Sequence, residues 1–187
     1  MTKYSDNSFE ERNFENKQDQ ADFRMQQMLQ EKGFVRGVTE SQLEKYPHIT
    51  GSYQKIGTDP KDGFVPRFYD VRKVLLIPDY VIYPREGVKV FLSEVKGTNK
   101  LKEDDFNSLV ELNIKAEDFN NTGYSNGVNM EVGLWYFANP SKNKIGKYYS
   151  YPTIEKQWMS NDNWKVYDGE KDMNGNPKRY KEMNWKL

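Results

Sequence analysis

Two β-patterned runs separated by a single turn constrain this chain more than any other feature. Ile77-Pro78-Asp79-Tyr80-Val81-Ile82-Tyr83 is followed, after Pro84-Arg85-Glu86-Gly87, by Val88-Lys89-Val90-Phe91-Leu92-Ser93-Glu94-Val95-Lys96. The break contains a proline and a glycine able to take positive φ, which predicts a turn between two strands. Alternate residues of a strand share a face, so Glu94 and Lys96 point one way and Val95 the other. Pairing Tyr83 with Val88 sets Asp79 opposite Leu92, one diagonal step from Glu94. A wider loop pairing Tyr83 with Val90 sets Asp79 directly opposite Glu94. Either register leaves Asp79, Glu94 and Lys96 on one face, and a slip of one residue turns Asp79 away.

Opposed side chains in such a ladder stand about 5 Å apart. Two carboxylates that close repel each other strongly unless something neutralises them. A bound cation does so, and an all-oxygen ligand set favours magnesium or manganese. The same residues also fit a blander pattern, a turn acid after proline and a solvated Glu-x-Lys strand face. Val88 to Val95 is apolar enough for a central strand, where unpaired charge is expensive, and that favours a built site.

With Pro78-Asp79, and then Glu94-Val95-Lys96 after fourteen intervening residues, the chain resembles the PD-(D/E)XK nuclease superfamily, the restriction-endonuclease-like fold. It looks most like the small single-domain members, such as Holliday-junction resolvases and phage-type endonucleases. The resemblance covers residues from about 8 to 140. It implies an α/β fold with a mixed central sheet: a helix, a three-stranded antiparallel β-meander carrying the motif, a second helix and a further strand. It implies that Asp79 and Glu94 ligate Mg²⁺, for which Mn²⁺ can substitute, with the backbone carbonyl of Val95 as a further ligand. Lys96 would position or activate the attacking water and offset transition-state charge. A metal that acidifies bound water and stabilises the oxygens of a scissile phosphate is suited to cutting DNA.

Ser8-Phe9-Glu10-Glu11 is a capping-box pattern, and Gly33 is a natural helix stop. Between them Phe14, Ala21, Met25, Met28 and Leu29 recur at helical spacing. Gln18, Asp22, Glu11 and Glu15 lie along one margin of that stripe. The resemblance implies an acid on this helix that completes the metal site; Asp22 fits the position best, with Gln18 one turn earlier. The family usually has Glu there, and an exposed acid on an amphipathic helix is the competing reading. After Lys96, Gly97 to Lys102 reads as a loop into a second helix, with Glu103, Asp104 and Asp105 in its first turn. Phe106, Leu109, Val110, Ile114 and Ala116 give that helix a buried stripe. Lys100 and Lys102 lie where a DNA phosphate would pass, though each also fits an ordinary surface lysine. Met130 to Phe137 reads as a buried strand ended by Asn139-Pro140.

At 187 residues the chain is expected to form one nuclease-like domain. Its core spans about 8–140, and an aromatic extension over about 148–187 closes with a hairpin of Lys165–Asp168 against Lys178–Met183. The first meander strand is either Gly51–Ile56 or Asp70–Ile77. The absence of cysteine excludes disulfides, thiolate zinc sites and cysteine nucleophiles. The single histidine, His48, excludes a histidine zinc site or familiar triad and reads as structural. No apolar run reaches membrane-spanning length and no secretory signal is visible. Cytoplasmic residence, in a host cell if the chain is viral, is the expectation. The formal net charge is zero, yet Arg67, Arg72, Lys73 and Lys89 gather round the motif with Lys96, Lys100 and Lys102, and a nuclease needs only a local basic face.

These residues lead to the expectation of a Mg²⁺-dependent DNA endonuclease of recombination, repair, restriction or phage DNA processing. Symmetric cutting of two strands would call for a homodimer. The alternatives are a nuclease-fold module that binds nucleic acid or protein without cutting, and a structural protein of a phage particle.

Overall fold

The second of the two motif-bearing runs lies inside a six-stranded mixed sheet. A computed structural model describes residues 14, 16–38, 44–56, 78–122, 127–172 and 174–185. In chain order these form helix α1 (Lys17–Glu31), strands β1 (Phe34–Arg36), β2 (Gly51–Lys55), β3 (Tyr80–Pro84), β4 (Lys89–Lys96) and β5 (Lys100–Lys102), and helix α2 (Glu103–Asn121). Strands β6 (Asn129–Tyr136) and β7 (Lys147–Ser150), helix α3 (Tyr151–Ser160) and strands β8 (Trp164–Lys171) and β9 (Pro177–Glu182) follow. The main sheet runs β1-β2-β3-β4-β6-β7, and β5-β9-β8 form a second sheet. β2, β3 and β4 are an antiparallel meander, while α2 carries the chain over to β6, which lies parallel to β4. The architecture is α/β, with a mixed sheet and three helices among the described residues.

Alternation along the strands sorts the core into two layers. Val81, Leu92, Val132 and Leu134 project into one layer, where Phe106 and Leu109 of α2 and Ile154 and Trp158 of α3 cover them. Tyr80, Ile82 and Val95 project into the other, under Ala21, Met25, Met28 and Leu29 of α1. The sheet is therefore apolar on both faces, as strands sandwiched between helices must be.

Local sequence explains the element ends. Asn16 caps α1, its Oδ1 accepting from the backbone N–H groups of Gln18 at 2.8 Å and Asp19 at 3.0 Å. Gly33, with φ 85°, ends the helix. The expected capping box at Ser8 lies outside the described residues. Gly51–Lys55 is the strand that pairs with β3; the alternative, Asp70–Ile77, also lies outside them. The strand expected at Met130–Phe137 is β6, displaced by one residue.

Three readings are corrected. Ile114, counted in the buried stripe of α2, is 52% exposed, and Leu112 takes the inward place. Gly97 to Lys102 is not wholly a loop, because Lys100–Lys102 form β5 against β9; a three-residue edge strand whose partner lies some eighty residues on leaves no local periodicity to read. The closing hairpin is longer than expected, β8 starting at Trp164 and running to Lys171. Lys181 of β9 fastens that hairpin to α3: its ammonium donates to the Trp158 carbonyl at 2.9 Å and lies 4.7 and 4.5 Å from the ring centres of Trp158 and Trp164. No helix among the described residues is long and apolar enough to cross a membrane.

The fit of α1 to the end of β4 is close. A Cβ at Gly97 would meet the Lys17 carbonyl oxygen at 2.2 Å and the Ala21 Cβ at 3.1 Å. Gly97→Ala is therefore expected to cost about 1–3 kcal/mol, the usual range for forced overpacking, as a lowered urea midpoint.

Candidate active site

Register decides whether the acids meet. Tyr80 pairs with Ser93, Val81 with Leu92 and Ile82 with Phe91. The wider of the two expected loops is the one formed, with Gly87 at φ 106° in it. Carried one step beyond the end of β3, this register sets Asp79 across from Glu94. The Asp79 backbone is held there from the other side, its carbonyl accepting from Ile56 N at 2.8 Å. The Asp79 carboxylate is close enough there for its charge to act on the Glu94 carboxyl. Glu94 and Lys96 alternate with Val95 and so share the layer of Leu92 and α2.

Lys96 reaches from the end of β4 to the first turn of α2, where its Nζ lies 2.8 Å from Asp105 Oδ2. The Lys96 side chain is 17% exposed and that of Asp105 33%, so the pair is less screened by water than a fully exposed one. Burial acts against the ammonium, but Asp105 and then Glu94 outweigh it and hold Lys96 above its ordinary value of 10.5. Glu94 moves in the same direction for a different reason. Burial first, and then the charge of Asp79, push its carboxyl well above the ordinary 4.5, while Lys96 pulls it partly back. Three acids and one lysine thus lie within electrostatic reach of one another, and the cluster is one positive charge short of balance even with Glu94 protonated.

Val95, the residue between Glu94 and Lys96, has both backbone polar groups taken by side chains. Its N–H donates to Asp79 Oδ2 at 2.8 Å. Its carbonyl accepts from Gln18 Nε2 at 2.5 Å, and Gln18 Oε1 in turn accepts from Gly97 N at 3.3 Å. These side chains stand in for a neighbouring strand, because the β3 ladder has already ended at Tyr80.

The expected Asp22 is placed differently. Its carboxylate pairs with Lys55 Nζ and accepts from the Tyr80 hydroxyl at 2.7 Å. The reason is topological: α1 covers the layer of Tyr80 and Val95, whereas Glu94 projects into the opposite one. Lys100 and Lys102 turn toward the C-terminal hairpin. Lys100 Nζ lies 5.5 Å from the centre of the Tyr167 ring and 5.1 Å from that of Tyr180. Lys102 Nζ is 4.8 Å from Tyr167 and pairs with Glu170 at 2.8 Å. Lys89 pairs with Glu131 at the far end of β4, and Arg67, Arg72 and Lys73 lie outside the described residues. Sequence reasoning missed Asp105 as a site residue. Its signal was its place nine residues after Lys96, in a first turn that folds back over the strand end.

Among the described residues no group of three or more His, Cys, Asp and Glu side chains converges on one point. The donor set here is two carboxylates and a backbone carbonyl. Asp79 keeps Oδ1 unused by Val95, and a carbonyl oxygen has a second lone pair beyond the one Gln18 uses. Hard oxygen donors around a pair of crowded carboxyls fit a divalent cation of the magnesium type. No protein-family model, curated protein or solved structure matches the chain.

The raised Glu94 carboxyl makes metal-free stability depend on pH. The folded protein holds that proton more tightly than the unfolded chain does. The stabilisation is thus complete below the ordinary carboxyl value and is lost as pH rises through the folded one. Urea midpoints in chelator are expected to fall as pH rises above the ordinary carboxyl range, and Glu94→Gln, which stays neutral, is expected to flatten that fall.

Proposed function

We propose that this chain is a metal-dependent endonuclease that hydrolyses phosphodiester bonds in DNA, with its catalytic centre at Asp79, Glu94 and Lys96. The observation that carries the reading is the register that sets Asp79 across from Glu94 at the end of the β3–β4 pair, with a lysine on the same face. Support also comes from the order of elements around it: helix, antiparallel meander, helix, then a strand parallel to β4. That order is the one the PD-(D/E)XK resemblance implies, and the restriction-endonuclease-like core is part of this proposal.

Asp79 and Glu94 would hold Mg²⁺ or Mn²⁺, with the Val95 carbonyl as a third oxygen. When bound, the ion supplies an acidified water and positive charge beside the scissile phosphate. The chain's own residues do the rest. Asp79 and Glu94 repel each other when both are ionised, and a bound cation would relieve that repulsion. Lys96, kept as an ammonium by Asp105, offers positive charge to the phosphate oxygens as negative charge builds on them. Asp105 fixes the direction of that ammonium and so acts through Lys96.

A second reading has one specific observation behind it. The first-helix acid that would complete a metal site is engaged elsewhere, Asp22 pairing with Lys55, which would suit a module that binds nucleic acid without cutting. A panel of duplex, branched and single-stranded DNA and of RNA, incubated with Mg²⁺, Mn²⁺ or chelator, separates the two. The nuclease reading expects cleavage of DNA that chelator abolishes, with losses of about 10²-fold or more in Asp79→Ala, Glu94→Ala and Lys96→Ala. Asp105→Asn is expected to lose about 10- to 100-fold, as groups that orient a site residue do. Metal-independent binding with no turnover would favour the silent module, and cleavage retained in all three alanine variants would sink this site.

A further inference from the structure

The helix that the carboxylate pair does not use contributes to the site through an amide. We infer that Gln18 is a positioning residue: it fixes the backbone on both sides of Lys96, and so sets both the Val95 carbonyl and the lysine. This rests on the proposed nuclease site and extends it to a residue that is neither acid nor cation.

The geometry is unambiguous in chemical sense. Val95 O can only accept and Gly97 N–H can only donate, so the two contacts at 2.5 and 3.3 Å fix which end of the Gln18 amide is nitrogen. One planar group therefore ties residue 95 to residue 97. Lys96 between them is held on the opposite edge, its carbonyl accepting from Phe137 N at 2.9 Å. Asp79 completes the arrangement by accepting from Val95 N–H. Four hydrogen bonds, two of them from one amide, immobilise three residues at a point where β3 has run out. Without them the end of β4 would be free to fray on that edge, because an unpaired strand end opens locally.

The placement of Gln18 is itself fixed. It lies in the first turn of α1, two residues after the Asn16 cap. The Lys17 carbonyl and Ala21 come so close to Gly97 that only glycine fits there. Helix and strand end are thus locked in one relative position, and the amide has no need to search for its partners. Glutamine suits the task for a reason of charge. A glutamate here would place another anion near Asp79 and Glu94 and could not donate to the Val95 carbonyl when ionised. An asparagine is one methylene too short to bridge from the same backbone. Orientation of a ligating group by an outer hydrogen bond is worth about 10- to 100-fold in metal affinity or activity.

The test compares wild type with Gln18→Met, which keeps the length and loses both hydrogen bonds, and with Gln18→Glu. Three quantities are read: Mn²⁺ affinity by titration, amide hydrogen exchange at Gly97 in chelator, and kcat separately from KM on the best DNA substrate. The expected result for Gln18→Met is Mn²⁺ affinity about 10- to 100-fold weaker, faster exchange at Gly97, and a fall in kcat with KM little changed. Gln18→Glu keeps an acceptor for the Gly97 N–H and loses only the donor to the Val95 carbonyl, so exchange at Gly97 is expected to rise less than in Gln18→Met. A Gln18→Met protein that unfolds as wild type does, binds Mn²⁺ as wild type does and keeps kcat would overturn the role of Gln18 while leaving the nuclease reading intact. A wild-type protein with no affinity for Mn²⁺ and no cleavage would overturn the nuclease reading itself, and this role with it.

Discussion

The site depends on the offset at which β3 lies against β4. A strand repeats every two residues, so the pairing of Tyr80 with Ser93 leaves only one choice of layer for each neighbour. Tyr80, Ile82 and Val95 go beneath α1, and Val81, Leu92 and Glu94 go beneath α2. Shifted by one residue, the same pair of strands could no longer keep Val81 and Leu92 in one layer, and one of them would lie against the wrong helix. It would also separate the two carboxyls. Burial of the core and assembly of the polar cluster are therefore specified by the same register. The hydrophobic side of this arrangement is the larger energy, since each such aliphatic side chain contributes about 1.5–3 kcal/mol on burial. The acids are brought together at the core's direction and against their own repulsion.

That repulsion is managed in steps outward from the pair. Asp79 is bonded to the Val95 amide, Lys96 lies beside Glu94, and Asp105 in turn balances Lys96. Beyond Asp105 the alternation of sign continues, with Glu170 and Lys102 from the second sheet. A zero net charge over the whole chain is thus compatible with a strongly patterned local field. The total says little about what such a surface attracts, because interactions beyond about 10 Å are screened in ordinary salt.

Much of this was legible before any coordinates. The two runs at 77–96, the α1 stripe, the α2 start and the β6 strand follow from periodicity and turn chemistry, which are local. The shared face of Glu94 and Lys96 follows too, because alternation within one strand needs no knowledge of the partner, whereas Asp79 joins them only through the β3–β4 register. What periodicity cannot deliver is the occupancy of the other side of the sheet. Asp22 and Gln18 lie on the same margin of α1, one turn apart, and only the seating of α1 on Gly97 decides that Gln18 meets the strand end while Asp22 meets Lys55 and Tyr80. Its place in the first turn of α2 makes Asp105 a helix-dipole acid; its second role depends on where the helix axis points. β5 was invisible because three residues carry no period.

The pairing of β5 with β9 has a consequence for how the molecule is made. β5 begins four residues after Lys96, yet its hydrogen-bonding partners are Tyr180, Lys181 and Glu182. Closing so long a loop is entropically slow, and contacts distant along the chain form late in folding. During synthesis the meander, α2 and β6 have all their mutual partners well before β9 leaves the ribosome. The rim beside the lysine therefore waits on residues some eighty positions further along the chain, and its border closes only when β9 is free to pair.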